Sequence, residues 1–404
     1  MQTQIFMVHK RHLGLRAPTV LAVGFALTIL VGALVLMLPV SAADGQITPF
    51  LDALFTAASA SCVTGLVTVS TAVHWSVFGK CVILLLIQIG GLGFMSVAAI
   101  ASFVLRRTIT LHERMVMSAG LNLSDGGGIV RLTRRVLFGT FIIEGTGAVL
   151  LSCRFVPHYG FPKGITMGVF HAVSAFCNAG FDLMGTPDDP FQSLIGWAED
   201  PLVNITVMAL IVLGGLGFFV WSDVWDKHSF CRLRLHTKIV LTATAGLLLF
   251  GFGWTLLFEW SNPATLGAFD TPHKLLAAAF ESVTLRTAGF NTIDLGALTG
   301  PSQAVSCLLM FIGGSPGSTA GGIKTVTAAV LVLTAISAFC GRTTVSAFGR
   351  TIAPRSIMNA VTLLMAGGVL CLVGACAIAG IEDAPFHQCL FEAVSAFGTV
   401  GVSM

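Results

Sequence analysis

Four short stretches of this sequence could hold a desolvated cation. They read FTAASASCVTGL from Phe55, FHAVSAFCNAGF from Phe170, FESVTLRTAGF from Phe280 and FEAVSAFGTVGV from Phe391. Phe55 and Gly65, Phe170 and Gly180, and Phe391 and Gly401 are ten residues apart, while Phe280 and Gly289 are nine apart. Each stretch is an apolar half-helix that runs into a glycine loop. Glycine takes positive φ at no steric cost, so it lets the strand turn successive carbonyls the same way. Rings of such carbonyls replace the hydration shell of an ion. The half-helix C-termini aim partial negative charge at the same place. One stretch alone reads equally well as a small-residue packing motif between ordinary helices. Four of them, with glycines 115, 109 and 112 residues apart, read as a repeat.

A second candidate is GGSPGSTAGGIKT at 313–325, between the apolar runs AVSCLLMFI and VTAAVLVLTAISAF. It looks like a phosphate loop. A nucleotide site needs GxxxxGK[ST] after a strand, but here Ile323 separates Gly322 from Lys324 and an apolar span precedes the loop. Pro316 and the glycines at 313, 314, 317, 321 and 322 also oppose a continuous helix. The helix is therefore expected to break within the membrane, where irregular backbone survives only against water or protein. The expectation is a gate made of Gly313, Gly314, Ser315, Pro316, Gly317, Ser318, Thr319, Ala320, Gly321 and Gly322, with Lys324 at its end. Lys324 would pair with carbonyls or oppose cations in the closed pore. Related clusters, IQIGGLGFM at 87–95 and VLGGLGFFV at 212–220, read mainly as packing sites.

The elements that must position these residues follow from composition. Of 404 residues, 55% are hydrophobic and 10% charged, against about 25% charged in soluble domains. Such a chain is a polytopic, all-α membrane protein. Spans are expected at 17–40, 76–104, 132–152, 198–221, 238–258, 302–338 (broken) and 356–380. The shorter stretches at 50–62, 164–177, 273–285 and 386–397 suit re-entrant half-helices. The unit is span, half-helix with glycine loop, span. The expected organisation is a cytoplasmic tail at 1–16, units at 17–110, 130–226 and 236–340, and a fourth at 354–404 that stops after its glycine loop. Sixteen of the 22 lysines and arginines cluster at 10–16, 106–135, 227–238 and 342–355, all on one side of this arrangement. That side, with the N-terminus, is expected to be cytoplasmic. The acidic residues favour the other face and would concentrate cations there.

At this point the sequence resembles a known family. CVTGL, CNAGF, RTAGFN and SAFGTVG, together with GGSPGSTAGGIK, are similar to the Trk/Ktr/HKT superfamily of potassium transporters, and most of all to its KtrB-type membrane subunit. The likeness covers essentially the whole chain. It implies four span–pore-loop–span units around one central pore. It implies a K+ selectivity filter built from Val63, Thr64 and Gly65; Asn178, Ala179 and Gly180; Thr287, Ala288 and Gly289; and Thr399, Val400 and Gly401. Serine at the first glycine goes with sodium selectivity in some members, so Gly65 favours potassium. The likeness also implies that 313–324 is the gate. It implies a homodimer in the cytoplasmic membrane on a cytosolic, nucleotide-binding (RCK-type) regulatory ring. No cofactor and no nucleic acid is expected; K+ is the transported ion, and Na+ stays open as a coupling or activating ion. The family's fourth unit ends in a further span, whereas this sequence stops at Met404, so a truncated sequence, a defective relative and a sodium or poorly selective transporter all remain alternatives.

The other candidates are blander. The ten cysteines show no metal spacing, and His112-Glu113 is not HExxH, so no zinc site is expected. Glu144 is expected to be hydrogen-bonded between helices, Arg286 to brace the pore-loop backbone, and Asn291 and Asp294 to hold the outer mouth. Trp75, Trp197, Trp221, Trp254 and Trp260 read as interface anchors. An intramembrane enzyme would need a nucleophile–base or metal constellation, and none is found.

Overall fold

The computed structural model describes residues 17–93 and 129–404. The expected tail at 1–16, the end of the second span and His112-Glu113 lie outside the described residues. The rest is helical: α1 (Ala17–Leu36), α2 (Phe50–Cys62), α3 (Val77–Leu92), α4 (Ile129–Tyr159), α5 (Phe161–Phe176), α6 (Pro201–Leu216), α7 (Phe218–Lys227), α8 (Leu235–Glu259), α9 (Thr271–Thr284), α10 (Gly300–Phe311), α11 (Thr325–Phe339), α12 (Pro354–Ile381) and α13 (Phe386–Gly398). A two-residue hairpin pairs Ser346–Ala347 (β1) with Arg350–Thr351 (β2). Its turn residues, Phe348 and Gly349, both have positive φ, as a tight hairpin turn of matching twist requires.

Helix starts follow their capping residues. Asp200 accepts from the Leu202 and Val203 N–H groups at 3.0 and 3.1 Å, with Pro201 in the first turn of α6. Asp270 caps α9, where Pro272 sits in the first turn. The short helices α2, α5, α9 and α13 have 13, 16, 14 and 13 residues. At ~1.5 Å per residue they reach only ~20–24 Å, less than a ~30 Å hydrocarbon core.

Within α4, α8 and α12, and in α1, runs of 18 to 28 residues are long and apolar enough to cross a membrane unbroken. The span expected over 198–221 is two helices, α6 and α7. The chain bends by 91° between α6 and α7, because Gly217 takes φ +91 and ψ 140. Gly93, which ends α3, has nearly the same backbone, φ +78 and ψ 141. The third such place is the long break between α10 and α11.

The packing repeats along the chain. α1, α2 and α3 touch one another, as do α4, α5 and α6; α8 touches α9 and α10, and α12 touches α13. Each inner helix then meets the next half-helix: α3 on α5, α6 on α9, α10 on α13. Buried Phe176, Phe181, Phe280 and Phe290 join the first three groups in one apolar core. Phe391, Val400 and Val402 belong to a second core with α9 and α10. Trp75 is 1% exposed and packed against Gly79, so it is a core residue and not an interface anchor.

Candidate functional site

The four half-helices end in the same way. Val63, Asn178, Thr287 and Thr399 all have φ between 52 and 68, and Gly65, Gly180, Gly289 and Gly401 have φ between 70 and 92. Left-handed residues thus stand two before each glycine and at the glycine itself, the alternation that aligns carbonyls. In three strands the cap is a double turn. Thr64, Ala179 and Val400 N–H bond to the carbonyls of Ser59, Ser174 and Ser395 at 2.8, 2.8 and 2.9 Å, while Val63, Asn178 and Thr399 N–H bond one turn tighter at 3.1–3.2 Å. The third stretch, from Phe280 to Gly289, is a residue shorter. There Ala288 N–H reaches Thr284 O at 2.9 Å, so the missing residue comes out of the cap and not out of the strand.

The strands then meet. A Cβ built on Gly65 would lie 2.6 Å from Ala179 O; on Gly180, 2.9 Å from Ala288 O; on Gly289, 2.7 Å from Val400 O. A Cβ on Gly401 would strike Thr64 O and sit 2.9 Å from the Gly65 Cα. The order closes on itself. Each glycine leaves room for the carbonyl oxygen just before the next strand's glycine. The four glycines and the residues just before them, eight of the twelve named from the sequence, are therefore brought together in one closed ring. A cavity of ≈ 500 Å³ opens above them, lined by all four glycines with Phe55, Asp182, Asn291 and Glu392 among others. Asn291 lines this cavity; Asp294 is not among its lining residues and instead accepts from the Gly296 N–H at 2.9 Å.

The segment 313–324 lies against the inner ends of these strands. Its bonds go to the break in the second inner helix: Ser315 N–H to Gly215 O at 3.0 Å, Thr319 N–H to Gly214 O at 3.3 Å, and Phe218 N–H to Gly317 O at 2.8 Å. The two glycine clusters are thus partners, and the 212–220 cluster both packs and breaks its helix. Thr319 Oγ1 donates to Phe176 O at 3.1 Å and sits 3.3 Å from the Asn178 amide. Gly321 packs against Thr399 and Gly398 O, where a side chain would clash. Within the loop Ser318 Oγ donates to Ser315 O at 2.7 Å, and Lys324 Nζ donates to Ala320 O at 2.6 Å. Lys324 therefore holds a carbonyl, one of the two roles expected for it.

Arg286 is redirected by the structure. Its Nη2 donates to Gly313 O at 2.9 Å and Thr325 Oγ1 at 3.1 Å, so it braces the 313–324 segment and not the glycine strand beside it. The side chain is long enough to pass its own strand. Glu144 accepts from Gln88 Nε2 at 3.1 and 3.2 Å, bonding α4 to α3 as expected. No cluster of three or more His, Cys, Asp or Glu side chains suited to a metal occurs among the described residues. Sequence reasoning missed the hydroxyls of Ser59, Ser174, Thr284 and Ser395. Their signal was present: each stands four residues after the repeat's phenylalanine.

Apolar spans, half-helices too short to cross and loops converging on one axis define the class, an all-helical membrane transporter. The comparisons agree. The family described as TrkH, cation transport protein, matches residues 10–404, and the chain belongs to that family. It is 42% identical over 387 residues to the Ktr system potassium uptake protein B of Bacillus subtilis, covering 96% of this chain and 85% of that protein. It is 41% identical over 388 residues to the potassium/sodium uptake protein NtpJ of Enterococcus hirae, covering 95% and 84%. Its fold is similar to the crystal structure of the potassium transporter TrkH from Vibrio parahaemolyticus, with TM-score 0.68, 17% identity, and 98% and 80% of the two chains covered.

Proposed function

We propose that this chain carries potassium into the cell through a filter formed by the four glycine strands, and that 313–324 is its gate. The observation that carries this reading is the closed ring of contacts. Each of Gly65, Gly180, Gly289 and Gly401 faces the carbonyl oxygen of a neighbouring strand, in chain order and back to the start. Four backbone strands around one axis are the arrangement that coordinates a desolvated cation with carbonyls. The cavity above, with Asp182 and Glu392 in its lining, is then the outer mouth, and the basic clusters are cytoplasmic. The names of the B. subtilis and E. hirae relatives support potassium as the ion. The name of the E. hirae relative also gives sodium a place as a second ion. The Ktr system naming supports further subunits; a homodimer on a cytosolic nucleotide-binding ring is the proposed assembly.

The test is potassium-limited growth and rubidium uptake in cells without uptake systems of their own, with the parent chain and Gly289→Ser. A serine there must adopt φ +84 and place its Cβ 2.7 Å from Val400 O. Loss of the preference for potassium over sodium in the variant supports the filter. A parent that moves neither ion, or a serine variant with unchanged preference, refutes it.

A further inference from the structure

Each half-helix turns a buried hydroxyl toward the back of its own strand. Ser174 Oγ donates to Phe181 O at 2.7 Å, Thr284 Oγ1 to Phe290 O at 2.6 Å, and Ser395 Oγ to Val402 O at 2.6 Å. Every acceptor is the carbonyl of the residue that follows the glycine. Thr284 Oγ1 also accepts from the Phe290 N–H at 3.1 Å. The first strand differs, since Ser59 Oγ accepts from the Gly65 N–H itself at 3.1 Å. All four hydroxyl residues are buried.

A carbonyl bound from behind is turned away from the axis. Three of the four strands therefore end their run of free oxygens at the glycine. The bond also ties the strand outward, against the half-helix. A smaller ion needs the oxygens to close in, and a strand anchored at its back resists that movement. Without the hydroxyl, Phe181 O, Phe290 O or Val402 O is left buried and unsatisfied, and its nearest relief is to swing toward the ion path.

We propose that Ser174, Thr284 and Ser395 are positioning residues for ion selectivity, setting the outer limit of the oxygen column and holding its width. Ser59 anchors the first strand through the Gly65 amide instead, without capping a carbonyl. The proposal rests on the filter reading above.

The experiment measures rubidium and sodium flux through the full chain, purified and reconstituted in vesicles. The variants are Ser174→Ala, Thr284→Val and Ser395→Ala, with the hydroxyl-keeping Ser174→Thr, Thr284→Ser and Ser395→Thr, and Gly289→Ser alongside. Each hydroxyl deletion is expected to lower the rubidium-to-sodium ratio by about fivefold, the worth of one ordinary hydrogen bond. The hydroxyl-keeping variants should stay near the parent ratio. A merely structural role would reduce the amount of folded protein and leave the ratio alone. If Ser174→Ala yields no folded protein, Ser174→Cys takes its place: the thiol is a weaker donor, and its ratio should fall between those of serine and the other deletions. If Gly289→Ser loses preference but all hydroxyl deletions keep it, the hydroxyl proposal fails and the filter stands. If Gly289→Ser also keeps it, the filter reading fails and takes this proposal with it.

Discussion

Arg286 is the side chain on which the observed position of the 313–324 segment should depend most. It is 7% exposed, next to Thr287 of the third strand, and its Nη2 holds both Gly313 O and Thr325 Oγ1, at the two ends of the segment. Hydrogen bonds from a charged donor are worth ~1.5–3 kcal/mol each. Gly313 O keeps a second donor, Thr325 Oγ1 at 3.2 Å, so removing the guanidinium does not orphan it. A net loss of about 2 kcal/mol for Arg286→Gln is the reasonable figure. If the segment closes the pore, that loss raises the displaced population about 30-fold. Arg286→Gln should therefore raise basal rubidium leak from reconstituted vesicles by about that factor until most molecules are open. Arg286→Lys is the discriminating control. Both bonds come from a single nitrogen, so an ammonium can replace them, and its leak should stay within about threefold of the parent. Thermal unfolding measured on the same preparations separates leak from loss of fold. A folded Arg286→Gln protein with parental leak refutes the idea that this contact holds the segment.

Two further outcomes follow from the same geometry. Gly217→Ala puts a side chain at φ +91 and ψ 140 with its Cβ 2.8 Å from Pro316 O; that nearly glycine-only backbone alone costs ~1–3 kcal/mol. It should release the segment from α6 and increase basal leak, whereas Gly246→Ala, which meets nothing within 4 Å, should leave flux unchanged. Asp182, in the loop after Gly180 and in the cavity lining, has its carboxyl pushed up to about 6 by loss of solvent, against the opposing Met184 and Gly185 N–H groups. It is ionised above that pH and neutral below it, so cation attraction at the mouth is lost as pH falls through about 6. One unit charge at close range is worth ~1 kcal/mol in water, so half-saturating rubidium should rise about fivefold between pH 7.5 and pH 5. Asp182→Asn should show the low-pH value throughout; an unaltered pH profile in that variant would sink the assignment.

What was legible in the sequence was local. The half-helices could be read because each is an apolar run bounded by a proline or aspartate at one end and a glycine at the other, as in Asp270–Gly289. The break at 313–324 could be read because proline and five glycines collect there. The break at Gly217 could not. VLGGLGFFV is apolar throughout, and a glycine at positive φ changes the direction of the chain without changing its hydropathy. What holds that bend is Gly317 O on the Phe218 N–H, from a segment distant in sequence. Arg286 misled for the same reason: sequence adjacency pointed to its own loop, while side-chain length carried it to Gly313. The pore-helix hydroxyls were visible as a register but not as a function, because serine and threonine in a small-residue helix look like packing until the acceptor is known. In each case the residue type was informative and its partner was not. Pairings about a hundred residues apart, such as Ser315 with Gly215 and Phe218 with Gly317, decide where this backbone turns, while Thr319 on Phe176 O and Arg286 on Gly313 O join the half-helix ends and glycine strands to the same segment.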